Sequence, residues 1–205
     1  MYAPSHFEET RLDVLHALIA AHPLGTLVTH GGAGLNADHI PFEIAAPSAE
    51  APFGTLRAHV ARANPLWRQA GAEALAVFQG PSAYVSPSLY AEKPVSGKVV
   101  PTYNYAVAHA HGVLRAIEDP RWILALVGRL TARHEAARAA PWSVSDAPAE
   151  YIDTLLKAIV GIEIPIGRLQ GKWKLSQNRL PADQAAVAAD SGGALAALMR
   201  APVTR

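Results

Sequence analysis

Residues 171–178, Gly-Lys-Trp-Lys-Leu-Ser-Gln-Asn, bring two lysines, an indole, a hydroxyl and two carboxamides into one short stretch, with Leu175 as the only bulky aliphatic. A tryptophan between two cations suits a ligand that is flat and anionic. The ring offers a stacking face, the ammonium groups offer charge-assisted hydrogen bonds, and the carboxamides can hold a polar edge. Lys172, Trp173, Lys174, Gln177 and Asn178 are therefore candidate ligand contacts, and a nucleotide-like cofactor is the first ligand to consider.

Three further polar clusters interrupt apolar stretches. Asp38-His39-Ile40-Pro41 sets an acid and an imidazole beside a proline that removes one backbone donor. It reads as a strand edge presenting backbone groups and His39 to a planar ligand, or as an Asp–His pair closing a hairpin. His59-Val60-Ala61-Arg62-Ala63-Asn64-Pro65 joins a strand end to a helix start, where backbone N–H groups and the helix dipole favour an anion. Arg62 adds a fork suited to phosphate oxygens, and Asn64 caps the helix. In Thr102-Tyr103-Asn104-Tyr105, strand periodicity puts Thr102 and Asn104 on one face and the two tyrosines on the other. His109 and His111 also share a face, but no acidic residue lies close in sequence to complete a ligand set, so a metal site is not expected.

Several chemistries are excluded. The chain has no cysteine, which removes disulfides, thiolate metal sites and thiol nucleophiles. Ser82, Ser86 and Ser88 lack a nucleophile-elbow context, and Gly31-Gly32-Ala33-Gly34 leads into a strand, unlike a phosphate-binding loop. The formal net charge is +1, so bulk attraction to DNA or to an acidic membrane is not expected. No helix-turn-helix pair is evident. The helix opening at Pro120 carries Arg121, Arg129, Arg133, His134 and Arg138, a basic face whose simplest role is solvation. Met1 to Thr10 is polar and acidic, unlike a secretory leader, and apolar runs such as Ile123 to Val127 are too short to cross a bilayer, so a cytoplasmic protein is expected.

The elements that must position these clusters follow from periodicity. Thr10-x-x-Asp13 resembles a capping pair, and Leu12, Leu15, Leu18 and Ile19 continue as a helix that Pro23 stops. Strands are expected over 25–30, 35–45, 54–61, 75–79, 83–85 after a Gly80-Pro81 break, 99–118 with Gly112 as a bulge or bend, and 162–166, where Pro165 points to an edge or bulge. A short helix is expected over 66–70, and 86–97 reads as loop. Asp119-Pro120 opens the strongest helix, to about Ala139, burying Ile123, Leu126, Val127 and Leu130. A second runs from about Pro148 to Val160 with Gly161 as its stop. Pro181 to Met199 is an alanine-rich helix interrupted at Gly192-Gly193. Strands cluster instead of alternating with helices, which indicates a mainly antiparallel barrel with peripheral helices, an α+β class, without a linker long enough to divide the chain.

The ordered motifs also carry a family resemblance. Met1-Tyr2-x-Pro4, His22-Pro23-Leu24-Gly25-Thr26-Leu27, Ala37-Asp38-His39-Ile40-Pro41-Phe42, Gly54-Thr55-Leu56-x-x-His59-Val60-Ala61-Arg62-Ala63-Asn64-Pro65, Phe78-x-Gly80-Pro81-x-x-Tyr84-Val85-Ser86-Pro87, Val99-Val100-Pro101-Thr102-x-Asn104-Tyr105 and Lys172 to Asn178 recur, in this order, in PaiB-type proteins. The chain resembles that family of FMN-binding negative transcriptional regulators from Met1 to about Asn178. The resemblance implies an FMN-binding antiparallel split β-barrel over residues 1–205 with a helical extension over about 181–205, and a homodimer with the flavin at the subunit interface. Tyr103 and Leu89 stand where tryptophans are expected; Tyr103 keeps an aromatic face and Leu89 does not. On this footing Arg62 and Asn64, with Lys172 or Lys174, are candidate phosphate contacts, and Asp38, His39, Ile40 and His59 candidate isoalloxazine contacts. Thr102, Asn104, Gln177 and Asn178 are candidates for the ring edge or ribityl chain, with Tyr103 or Trp173 as a flat wall. Three activities remain open at this level: a flavin-bound regulator acting on DNA or a partner, an FMN-dependent reductase or oxidase, and a haem-handling protein using His39, His59, His109 or His111.

Overall fold

The computed structural model describes residues 1–32 and 34–201. In chain order the elements are β1 (Glu8–Glu9), α1 (Leu12–Ala21), β2 (Leu24–Gly31), β3 (Gly34–Pro41), β4 (Glu43–Ala45), β5 (Thr55–Ala61), β6 (Glu73–Val85), α2 (Lys93–Ser96), β7 (Thr102–Val113), β8 (Arg115–Ile117), α3 (Pro120–Glu135), α4 (Ala149–Lys157), β9 (Ile159–Lys174), α5 (Pro181–Ser191) and α6 (Gly193–Arg200). The strands hydrogen-bond antiparallel in the order β3-β2-β6-β7-β9-β5-β4, with β1 and β8 also pairing with β9, and the sheet is not closed. The chain divides into two compact units, Met1–Ala21 with Gln79–His109 and Gln170–Arg205, and His22–Phe78 with Ala110–Leu169.

In the first unit, α1 buries Leu15, Leu18 and Ile19, the stripe its helical spacing requires. Glu8 and Glu9 pair with Lys172 and Gly171, and Trp173 N–H donates to the Phe7 carbonyl at 2.8 Å. Gly171 permits this approach, because a Cβ there would lie 2.4 Å from Leu15 Cδ2 and 2.8 Å from the Glu9 carbonyl. Gly80 plays the same part under α1, with Leu18 Cδ1 2.6 Å from where its Cβ would be. Val85, Tyr90 and Val187 form a buried cluster with Leu89, Val99 and Met199 around it, so α5 and α6 are packed onto the 86–99 segment. Asp183, buried at the start of α5, accepts from the Ala91 N–H at 3.0 Å.

In the second unit the core is built from Leu27, Phe42, Leu56, Phe78, Leu114, Ile123, Leu126, Ile162, Ile164 and Ile166. Phe42 and Phe78 meet edge to face at 5.7 Å. Asp119 caps α3 by accepting from the Arg121 N–H at 2.9 Å, and Arg129 anchors the helix to β4 through two hydrogen bonds to Glu43. Gly112 has no room for a side chain, since a Cβ would sit 2.1 Å from the Pro165 carbonyl oxygen.

Several sequence expectations change. The Gly80-Pro81 break does not end a strand, and β6 runs unbroken for 13 residues. The 35–45 strand divides at Phe42, whose N–H turns back to the Pro23 carbonyl. Val99 to Glu118 divides at Leu114, which bonds to Ala72 instead of continuing the ladder. Gly161 does not stop a helix: α4 ends at Lys157, and Gly161 lies inside β9 opposite His59, where a Cβ would be 2.5 Å from the Trp122 ring. Pro165 does not put its strand at a sheet edge, because β9 lies between β7 and β5. It closes the ladder with Thr55, Ile166 N–H donates to the Gly54 carbonyl, and β9 continues to Lys174. The 86–97 segment contains a 3-10 turn at Pro87–Leu89 and the short helix α2, and the 66–70 segment is a 3-10 turn over Pro65–Gln69. Of the Gly31-to-Gly34 turn, Ala33 lies outside the described residues.

Candidate cofactor site

The end of β9 alternates as a strand should. Gly171 and Trp173 face inward and are buried, while Lys172 and Lys174 project on the opposite face. The two lysines meet Thr102, Tyr103 and Tyr105 of β7, and Tyr2, Pro4 and Phe7 from the N-terminal segment, around an open groove of about 370 Å³ in the first unit. Lys174 Nζ donates to Thr102 Oγ1 at 2.5 Å and to the Tyr103 carbonyl at 2.6 Å, and lies 6.0 Å from the Phe7 ring centroid. Lys172 Nζ donates to the Tyr2 carbonyl at 3.0 Å and sits 5.6 Å and 5.5 Å from the Tyr2 and Tyr105 rings.

Among the described residues, none of the ion pairs includes Lys172, Lys174 or Arg179, although Glu8 is the cross-strand neighbour of Lys172. Burial pushes the Lys174 ammonium below the usual lysine range, and the charges of Lys172 and Arg179 push it the same way. A cation held by neutral acceptors and crowded by like charges is stabilised by an incoming anion. The groove can therefore take a phosphate or carboxylate beside aromatic walls.

The turn after β9 is fixed from inside. Ser176 is the one non-glycine residue with positive φ, at 65°, among the described residues. Its hydroxyl donates to Asn104 Oδ1 at 3.2 Å, and Asn104 Nδ2 donates back to Ser176 Oγ at 2.9 Å and lies 3.7 Å from Met199 Sδ. Gln177 closes the turn by accepting from the Leu175 N–H and donating to the Trp173 carbonyl. Arg179 N–H bonds to the Ser176 carbonyl, and its guanidinium stacks 4.3 Å over the Tyr90 ring. Asn104 is fully buried, Trp173 is 7% exposed and Asn178 is exposed. Thus Lys172, Lys174, Thr102 and Tyr103 line the groove, whereas Asn104, Trp173 and Gln177 hold the frame behind it.

The remaining candidates lie in the second unit. Asp38 Oδ2 accepts from Asn36 at 2.6 Å and its Oδ1 accepts from Asn64 Nδ2 at 2.9 Å, while Asn64 Oδ1 caps the 3-10 turn by accepting from the Leu66 N–H. Asp38 and Asn64 share a cavity of about 680 Å³ with Gly31, Leu35 and Gln69. Arg62 sits at that turn with its nitrogens engaged: Nε with the Lys157 carbonyl at 2.9 Å, Nη1 with Glu118 at 2.6 Å and Nη2 with the Ile159 carbonyl at 3.4 Å. His39 is exposed opposite Thr26, and Ile40 is buried. His59 is half-buried on β5 with Nδ1 enclosed and without a hydrogen-bond partner, and burial pushes its pKa below 6.5.

Tyr2, Phe7, Tyr105 and Arg179 were not among the sequence candidates. Tyr2 was visible as part of a recurring N-terminal motif, but only the pairing of β1 with the end of β9 shows that it borders the lysines. Arg179 lies one residue past the motif, and its closeness to Lys174 depends on the Ser176 turn.

Residues 1–168 match the model of the family described as "Putative FMN-binding domain". A relative in Emericella nidulans, itself uncharacterized, is 36% identical over 212 residues, covering 86% of this chain and 84% of its own. The protease synthase and sporulation protein PAI 2 of Bacillus subtilis is 31% identical over 185 residues, covering 89% of this chain and 85% of that protein. Among solved structures, an FAD and heme binding protein from Mycobacterium smegmatis matches with a TM-score of 0.61 at 17% identity, over 91% of this chain and 80% of that one. A flavocytochrome from Azotobacter vinelandii matches at 0.55 with 13% identity, over 82% and 69%. These two likenesses establish the fold alone, the antiparallel split barrel. On the family match and the likeness over most of both chains, the chain belongs to the PaiB-type family of FMN-binding domains, and its cofactor is FMN.

Proposed function

We propose that this protein is an FMN-dependent regulator of gene expression that acts as a homodimer, with the phosphate of FMN held between Lys172 and Lys174. The observation that carries the phosphate assignment is a pair of ammonium groups, both held by neutral acceptors, in an aromatic groove. The groove suits the cofactor chemically: two cations match a phosphate dianion, Thr102 Oγ1 can bond a phosphate or ribityl oxygen, and Tyr103 and Tyr105 offer flat faces. Asn104 and Ser176 keep the turn in its strained form, which aims Lys174 at the groove. Bound FMN supplies redox chemistry that none of the side chains around the groove possesses.

The regulatory reading is supported by the 31% identity to PAI 2, whose name refers to protease synthesis and sporulation. The homodimer is supported by apolar residues left open to solvent, such as Tyr84, Val95 and Val100 in the first unit and Leu24 and Leu35 in the second. The test begins with the spectrum of the purified protein. It is expected to show flavin, released on denaturation, and no haem band; a haem spectrum would replace this reading. A promoter fragment is then shifted in a gel at low ionic strength, where phosphate contacts are strongest. No shift, together with steady oxidation of NADH or NADPH, would make the protein a flavin oxidoreductase instead.

A further inference from the structure

We propose that the second unit holds a ligand site of its own, a cavity that takes a small organic monocarboxylate. The inference stands apart from the assignment of the FMN phosphate, since no residue of this cavity lines the lysine groove. The cavity has a volume of about 570 Å³. Its walls come from neighbouring strands of the sheet, from β2 through β6 and β7 to β9, all within the second unit.

Thr29 is the informative residue. It lines the cavity from β2, opposite Ala74 of β6, and is only 1% exposed, yet its Oγ1 has no hydrogen-bond partner. A valine would fill the same space without burying a hydroxyl that nothing matches, so packing alone does not account for a threonine here. Arg168, exposed on β9, borders the same cavity, and its Nη2 donates to His111 Nδ1 of β7 at 2.9 Å. A guanidinium has no acceptor, so His111 accepts at Nδ1 and carries its proton on Nε2. The three groups are therefore a cation, a ring N–H and a hydroxyl, all able to donate. The ligand group that answers such a set is a carboxylate, which is acceptor-only and bonds a guanidinium most strongly. Glu73 lines the cavity as well, and its charge disfavours a second anionic group on the ligand. Val28, Leu75 and Val113 supply apolar wall for the ligand's body. A largely apolar cavity with a few polar groups among its walls is the ordinary form of a small-molecule site.

The test is calorimetric titration of the FMN-loaded protein with straight-chain monocarboxylates from acetate to octanoate. The amide of the tightest binder and glutarate serve as the uncharged and doubly charged controls. At least one monocarboxylate is expected to bind, and both controls to bind at least about tenfold more weakly. Arg168→Gln is expected to weaken the acid by about tenfold or more, and Thr29→Val by about threefold or more. Thr29→Val should keep or raise the melting temperature, because it removes a buried hydroxyl that has no partner; a hydroxyl with a structural role would lower it. The proposal is overturned if no monocarboxylate binds, if the amide or glutarate binds as tightly as the acid, or if either variant keeps full affinity. If Thr29→Val does not fold, Arg168→Gln decides alone. Release of FMN as the acid binds would put this cavity within the flavin site and overturn the claim of a separate one.

Discussion

At the residue scale, the chemistry turns on Lys174. Its ammonium is desolvated and faces Lys172 and Arg179, so its proton is held less firmly than in an ordinary lysine. An anion restores that firmness, so binding takes up a proton wherever Lys174 is partly neutral. FMN affinity is therefore expected to fall as pH rises, beginning below the usual lysine range, and Lys174→Arg should flatten the fall because an arginine keeps its charge. Flavin titrations at several pH values check this; an identical slope in the arginine variant would show that another group is responsible. His59 gives a stability prediction. Its folded pKa lies below 6.5 through burial, so the unfolded chain binds more protons as pH drops through that value. Stability at neutral pH is expected to decline on acidification toward pH 5, and thermal melts of His59→Leu should show a smaller decline than the wild type.

At the scale of elements, the position of the lysines depends on contacts that admit no side chain. Gly171→Ala would drive a methyl against Leu15 and the Glu9 carbonyl and is expected to cost about 1–3 kcal/mol in denaturant unfolding, loosening β1 from β9. At Ser176 the left-handed backbone and the bond to Asn104 oppose one another on substitution. Ser176→Gly loses the hydroxyl but relaxes the backbone, so it should be less damaging than Ser176→Ala, which only loses. Equal melting temperatures for the two would mean that the backbone at 176 carries no strain. This level is also where the sequence was least legible. The stripe on α1 and the Asp119-Pro120 start of α3 are local signals and were read directly. The alternation in Gly171-Lys172-Trp173-Lys174 is a strand pattern too, but Pro165 and the density of polar groups obscured it, because whether a proline ends a strand depends on where its partner strand stops. Gly161 looked like a helix stop for the same reason: its role is to let Trp122 approach, and that contact spans 39 positions of sequence that no periodicity connects.

At the scale of the whole molecule, family membership supplies the cofactor, while the groove supplies a physical reason for it. The regulatory reading has a constraint of its own. The basic face expected on α3 is largely neutralised, since Arg121, Arg129 and Arg138 lie beside Asp119, Glu43 and Glu135. If a promoter fragment binds, its affinity should therefore depend little on Arg129→Ala, and a large loss would place the DNA on α3 after all. Sedimentation should give the mass of a dimer, and Leu35→Glu, which charges an exposed apolar residue, should lower the association constant. The most direct measurement is an FMN titration of the wild type against Lys172→Ala/Lys174→Ala, with riboflavin as the control that lacks a phosphate. The double variant is expected to lose FMN affinity by roughly ten- to a hundredfold per lysine removed, the scale of charged hydrogen bonds, while riboflavin binding stays the same. FMN affinity that is unchanged in the double variant would contradict the phosphate assignment.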